Sequence, residues 1–261
     1  MGHPGDMPGK PIKHRFFVPP SRIKEEDGGL FAEPGVNITH HMRNVLRLSA
    51  GAKVALFDNT GNEYWGEVVE SKPKWSRIRI DHTETPQVES PVRITLAQSL
   101  IKGNAFDRVL TMCTEAGCAR FVPLFTRRTV VKLNKAAAAD RVGRWEKVVR
   151  EASAQCGRVV APVVEMPMDF SELLEKETED LRIILYERGG KGQLDSIVDP
   201  QAKPGSVLLL AGPEGGFETE EVDAAVKAGF HILGLGPRLL KAETAGVSAI
   251  SILQHRLGDM G

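Results

Sequence analysis

The sequence predicts a mixed α/β fold in two parts: a sheet with helices on both faces, preceded by a small β-rich domain of barrel type. Three observations carry this reading. Before residue 81, apolar residues fall in strand-length runs broken by turn signals. After residue 91, short apolar runs alternate with segments of helical periodicity. Between them, residues 81–91 are polar, contain Pro86 and Pro91, and read as a linker. The two domains are placed at 12–84 and 90–258.

In chain order, residues 1–11 are rich in Gly and Pro and read as disordered. Short strands are expected from Arg15 to Ile80. Among them, Lys53-Val54-Ala55-Leu56-Phe57-Asp58 leads through the hairpin signal Asn59-Thr60-Gly61-Asn62 into Tyr64-Trp65-Gly66-Glu67-Val68-Val69. One short helix is expected over 40–48, with Thr39 as its cap and a stop before Gly51. In the larger domain, the strand Val92-Arg93-Ile94-Thr95-Leu96-Ala97 is followed by a helix capped by Asn104. That helix carries Phe106, Val109, Leu110 and Cys113 on one face and ends at Gly117. A strand at 120–124, a helix over 137–155 and a strand at 182–186 come next. The run Val207-Leu208-Leu209-Leu210 precedes a helix that Thr219 caps, Glu220 and Glu221 charge at its positive end, and Gly229 terminates. After His231-Ile232-Leu233, a last helix over 242–257 holds the small residues Ala245, Gly246, Ser248 and Ala249, suited to close packing.

At 261 residues, 41% hydrophobic and 26% charged, the composition is that of an ordinary globular chain with a real core. No apolar run has the length of a membrane span, and the first thirty residues lack a signal-peptide core, so a cytoplasmic address is expected. Cys113, Cys118 and Cys156 form no C-x-x-C pair, which argues against a zinc site or a disulfide framework; all three read as small buried hydrophobes. His40 and His41 are too few for a metal site and read as packing or RNA-contact residues. Net charge is zero, yet residues 91–158 hold 13 basic and 5 acidic side chains, and residues 159–261 hold 9 and 17. The basic block offers a phosphate-binding face unless acidic helices of the last block fold back on it.

Two loops leaving buried strands carry the chemistry. Gly212-Pro213-Glu214-Gly215-Gly216-Phe217 lacks both the Lys-Ser/Thr ending of a P-loop and the G-x-G-x-x-G spacing of a dinucleotide fold. Glu214, Glu220 and Glu221 would repel a polyphosphate, so a neutral or cationic cofactor such as S-adenosylmethionine suits it better. In Leu235-Gly236-Pro237-Arg238-Leu239-Leu240-Lys241-Ala242-Glu243-Thr244-Ala245, Gly236 permits close backbone approach. Leu233, Leu235 and Leu240 can wall an adenine while backbone groups read its edge.

This pair of loops resembles the cofactor-binding segments of the RsmE-type ribosomal RNA methyltransferases of the SPOUT class. The likeness extends along the chain. His40-His41-Met42-Arg43-Asn44-Val45-Leu46-Arg47-Leu48 is similar to a signature of that family's N-terminal PUA-like RNA-binding domain. Lys102-Gly103 through Glu115-x-Gly117, Arg127-Arg128-Thr129-Val130-Val131 and Ala152-Ser153-Ala154-Gln155-Cys156-Gly157-Arg158 resemble further family stretches. The resemblance implies a C-terminal deep trefoil knot, a homodimer, and S-adenosylmethionine-dependent methylation of uridine N3 in small-subunit (16S) ribosomal RNA. Against the family pattern, Lys241 stands where Arg is usual, Ala154 where Glu is usual and Met112 where Lys is usual. Lys241 keeps the charge and loses the bidentate fork.

Together these readings make Leu185, Gly212, Glu214, Gly215, Gly216, Leu233, Leu235, Gly236, Leu240, Thr244 and Ala245 the candidate cofactor-binding residues. Arg238 and Lys241 are candidates to stabilise the developing imide anion. Glu243 is a candidate to accept its proton or, equally, to cap the last helix. Candidates for RNA contact are His41, Arg43, Arg47, Lys102, Arg128 and Arg158; for the last two, a surface salt bridge is the competing reading. A SPOUT enzyme acting on another RNA position and a catalytically inactive ribosome-assembly factor are the alternatives.

Overall fold

A computed structural model describes residues 14–26, 28–187, 194–198 and 204–261; the expected disorder of residues 1–11 lies outside them. The chain divides into two compact units. One runs up to Glu89 and includes Ser153–Ala161; the other comprises Ser90–Ala152 and Pro162–Gly261.

In the first unit, β1 (Arg15–Phe17), β2 (Ile23–Glu26) and β3 (Gly29–Ala32) precede a short helix, α1 (Val36–His40). Then come β4 (Lys53–Phe57), β5 (Glu63–Lys72) and β6 (Trp75–Glu84). They form a six-stranded sheet in the order β1-β4-β5-β6-β3-β2, antiparallel except for the β1–β4 pair. Alternate residues of β4, β5 and β6 (Val54, Leu56, Tyr64, Val68, Ile78) meet Phe16, Val18 and Met42 in a buried cluster. The returning segment packs Val159 and Ala161 on Phe57. Asn59 is held at φ 67°, and its Oδ1 accepts a hydrogen bond from Ala161 N at 2.9 Å.

Four expectations are corrected in this unit. The helix starts at Val36 rather than after Thr39, and a π-helical turn, His41–Val45, continues it. Thr39 is no cap: it is buried, with its hydroxyl 2.9 Å from Ser76 Oγ. Also, β5 and β6 have ten residues each rather than being short, and β6 takes up the first part of the expected linker because its pairing with β5 continues to Glu84.

The second unit contains β7 (Arg93–Ser99), α2 (Ala105–Glu115), β8 (Cys118–Phe125) and most of α3 (Lys135–Cys156). Next come β9 (Val163–Val164), β10 (Met168–Asp169), α4 (Phe170–Lys176), β11 (Leu181–Leu185) and α5 (Leu194–Ile197). Last are β12 (Ser206–Ala211), α6 (Thr219–Lys227), β13 (His231–Leu233) and α7 (Ala242–Leu257). All strand pairs are parallel, in the order β10-β8-β7-β12-β11-β13, with β9 beside β8. The near-continuous apolar runs follow from this, since a parallel sheet is covered on both faces. Along β12, Val207, Leu209 and Ala211 join the cluster under α2, α3 and α7, while Leu208 and Leu210 join the one under α4 and α6. Each of these buried leucines contributes about 2 kcal/mol relative to exposure.

The helix ends also correct the sequence reading. The N-cap of α6 is Glu218 rather than Thr219, and Glu221 reaches back so that its Oε2 accepts from the Glu218 N–H at 2.9 Å. Asn104 occupies the cap position of α2 without a side-chain bond to it, whereas Asn134 Oδ1 accepts from Ala137 N at the start of α3. Gly117 and Gly229, at φ 86° and 87°, follow the ends of α2 and α6 as expected. Of the cysteines, Cys113 and Cys118 are buried but Cys156, at the end of α3, is exposed.

Candidate active site

Parallel strands present all their C-terminal ends at one edge of the sheet, so the chain leaving β11, β12 and β13 meets there. The three segments enclose a cavity of about 490 Å³, within the range of small-molecule sites.

The arm after β12 is the glycine loop. A Cβ on Gly212 would lie 3.2 Å from the Phe217 ring, so a side chain there would push the ring back by a few tenths of an ångström. Gly216 has φ 69°, a conformation that favours glycine, and closes a turn with its N–H donating to Pro213 O at 2.9 Å. Partners from elsewhere fix this arm. The fully buried Gln98, at the end of β7, donates through Nε2 to Gly212 O (3.1 Å) and Ala211 O (3.4 Å). The Lys102 N–H donates to Glu214 Oε1 at 2.9 Å. Arg128 donates from Nη1 to Gly215 O at 2.6 Å, and from Nε and Nη2 to the two oxygens of Glu218 at 2.8 and 2.9 Å.

In the arm after β13, Gly236 takes φ 92° and Lys241 occupies the N-cap position of α7 in extended conformation. Leu233 is buried, Leu235 and Leu240 are half-buried, and Leu239 is 81% exposed at the rim. Arg238, Lys241 and Glu243 all face the cavity. Glu243 Oε1 accepts from Arg108 Nη2, on α2, at 3.0 Å. Lys241 makes no side-chain cap to α7, and Glu243 stands in the first turn, where a carboxylate suits the positive end of the helix. The third arm, after β11, is Tyr186-Glu187, joined to β13 by Tyr186 N–H donating to Leu233 O at 3.1 Å.

Every residue expected to bind cofactor lines this cavity except Thr244, which sits in the first turn of α7 with its N–H donating to Lys241 O. Sequence reasoning missed Tyr186, Glu187 and Gln98. The first two directly follow Leu185 at a strand end, a signal that was available; Gln98 is a polar residue closing a buried apolar run.

The residues expected at RNA are dispersed. Lys102 is exposed, with no acidic partner for its ammonium among the described residues. His41, Arg43 and Arg47 are exposed on or just after the π-helical turn of the first unit; Arg43 donates to Ser71 O, and Arg47 is held at φ 57°. One assignment is overturned. Arg158 is only 7% exposed and points inward, its Nη2 2.7 Å from Glu89 Oε2, so it is a buried structural ion pair rather than a phosphate contact. Arg128 pairs with Glu218 and Gly215, as the salt-bridge reading has it, and its side chain remains 41% exposed. Its contact with Glu218 raises the guanidinium pKa further and lowers that of the carboxyl. The acidic block does fold onto the basic one: Arg108, Arg120, Arg127 and Arg128 each pair with a carboxylate from residues 159–261. Among the described residues there is no His/Cys/Asp/Glu cluster fit for a metal, and no helix long and apolar enough to cross a membrane.

The sequence matches the RNA methyltransferase domain family over residues 88–254 and the RNA methyltransferase PUA domain family over residues 34–79. It is 31% identical to the ribosomal RNA small subunit methyltransferase E of Bacillus subtilis, over 93% of this chain and 96% of the relative. The fold superposes with a TM-score of 0.87 on a Legionella pneumophila methyltransferase solved with bound SAM, at 33% identity, covering 94% of this chain and 98% of that one. A ribosomal RNA small subunit methyltransferase E from Neisseria gonorrhoeae, bound to S-adenosyl methionine, gives 0.84 at 30% identity over 95% and 99% of the two chains.

Proposed function

This chain belongs to the ribosomal RNA small subunit methyltransferase E family, and we propose on that footing that it methylates N3 of a uridine in 16S ribosomal RNA, with S-adenosylmethionine as cofactor. The observation that carries the reading is the convergence of three strand-end arms on one cavity that holds apolar walls, carboxylates and two cations together.

The residues present fit that cofactor. Leu185, Leu233 and Leu235 offer apolar surface for an adenine, and the loop backbones offer donors and acceptors for its edge. Glu187 and Glu214 supply negative charge where a sulfonium and an ammonium need it, and Arg238 or Lys241 can meet a carboxylate. When bound, the cofactor supplies an electrophilic methyl group, and catalysis then depends on placing a deprotonated N3 in line with it.

The chain's own part in the reaction is electrostatic. Arg238 and Lys241 stand at the rim, where their N–H groups can donate to uridine O2 or O4 as the imide loses its proton. Glu243 is the carboxylate beside them. Its Oε1 is engaged by Arg108, which leaves Oε2 to receive the N3 proton. A uridine stacked in RNA is out of reach, so the base is splayed into the cavity while the first unit, with His41, Arg43 and Arg47 exposed, grips neighbouring RNA. The same reading extends to a closed barrel for the first unit, a trefoil knot formed by the chain around the cavity, a homodimer, and action in the cytoplasm.

The test uses small ribosomal subunits from cells lacking the gene. They are incubated with the protein and labelled S-adenosylmethionine, and the digested RNA is analysed by mass spectrometry. 3-Methyluridine is the expected product. Label on a ribose, or none despite cofactor binding, would overturn the substrate assignment, and absence of cofactor binding would favour an assembly factor.

A further inference from the structure

We propose that Arg128 is a positioning residue of the cofactor cavity: it locks the glycine loop and the start of α6 into the shape that receives S-adenosylmethionine, and it makes no contact with RNA.

The geometry has three independent parts. First, the guanidinium directs each of its three nitrogens at the loop and the helix start, with Nε and Nη2 on the two oxygens of Glu218 and Nη1 on Gly215 O. A fork-to-fork pair of this kind fixes direction as well as distance. Second, the side-chain stem lies close against Gly215. A Cβ there would come within 3.2 Å of Arg128 Cδ and 3.4 Å of its Cβ, so arginine and glycine interlock. Third, the segment that carries Arg128 is itself anchored to the same helix end. The Arg127 N–H donates to Glu221 Oε1 at 2.9 Å, while Glu221 Oε2 accepts from the Glu218 N–H. Thr126 N–H donates to Thr129 Oγ1 at 2.9 Å, closing the turn that aims the guanidinium.

The consequence is mechanical. Gly215 and Gly216 form one rim of the cavity, and glycine-rich backbone is flexible unless held. Gln98 holds the root of the loop at Ala211 and Gly212, and Lys102 N–H holds Glu214. Arg128 holds the tip. Without it, the Gly215 carbonyl loses its strongest donor, and binding has to order the loop at the ligand's expense.

The inference rests on reading the cavity as the cofactor site, so titration of the intact wild-type protein with S-adenosylmethionine comes first: no binding there would sink that reading and this one together. Given wild-type binding, Arg128→Met should weaken cofactor affinity by about tenfold, the scale of a lost charge-assisted bond. Its affinity for small subunits should be unchanged. Arg128→Lys should recover part of the loss, because an ammonium can reach one partner but not both. Amide hydrogen exchange at Gly216, whose N–H is bonded to Pro213 O, should accelerate in Arg128→Met, while exchange in β12 stays slow. Wild-type cofactor affinity in Arg128→Met would overturn the proposal. So would lost subunit binding with cofactor affinity intact, which would return Arg128 to the RNA. Should Arg128→Met fail to fold, Glu218→Gln carries the test: faster exchange at Gly216 and weaker cofactor binding support the lock, and unchanged values refute it.

Discussion

Arg108 Nη2 and Glu243 Oε1 lie 3.0 Å apart, an ion pair from α2 to the first turn of α7 at the edge of the cavity. The guanidinium fixes the direction in which the second oxygen of Glu243 points. Glu243→Gln keeps the size of the side chain and the hydrogen bond to Arg108 but removes the basicity. If Glu243 takes the N3 proton, single-turnover methyl transfer should slow by about 100-fold with cofactor affinity nearly unchanged. A rate within threefold of wild type would exclude it as the proton acceptor.

Acid should loosen the glycine loop through Glu218. Its hydrogen bond from Arg128 depresses the folded-state pKa below the ordinary 4.5. The stabilisation is therefore complete above the unfolded value and is lost as pH falls through the folded one. Hydrogen exchange at Gly216, corrected for its intrinsic pH dependence, should show falling protection below pH 4.5. In Glu218→Gln that pH step should be gone, and a step of equal size in the variant would assign it to another group.

The site was legible where chemistry is local and hidden where it depends on topology. Gly216 and Gly236 could be read as turn-formers because each stands just beyond a short apolar run, and a buried parallel strand needs such a run. Tyr186 and Glu187 enter the cavity only because β11 lies between β12 and β13, an order that no local pattern encodes. Arg158 looked like a free cation because its partner, Glu89, lies 69 residues away in sequence. For α6, Thr219 has the usual capping hydroxyl, yet Glu221 reaching back to the Glu218 N–H starts the helix one residue earlier.

Arg15 offers a test of stability remote from the cavity. Its Nε donates to Glu63 Oε1 at 2.8 Å, and its Nη1 donates to Ser153 O and Ala154 O, carbonyls in the last turn of α3. The Glu63 side chain is only 9% exposed, so Arg15→Met leaves a nearly buried carboxylate without its cation. The cost should be about 3 kcal/mol in urea unfolding. Arg15→Met/Glu63→Gln should recover part of it, since the stranded charge is gone. Equal stability of wild type and the single variant would show that the pair contributes nothing.

Gly216→Arg tests the placement of the cavity itself. At φ 69° any residue with a side chain is strained, by about 1 kcal/mol. The new Cβ would stand 3.6 Å from Glu187 Oε1, which directs the arginine into the space between the arms after β11 and β12. A guanidinium there also neutralises the carboxylate that suits a sulfonium. Cofactor binding should fall by more than about 100-fold, whereas the thermal midpoint should move only a few degrees, because strain of this size is a small part of the total stability. Gly216→Ala separates the two effects, since it carries the strain without the obstruction. A modest affinity loss for alanine and a near-complete one for arginine would mean that the cofactor occupies this space; equal losses would mean that the backbone turn alone matters, and unchanged affinity in both would place the cofactor elsewhere.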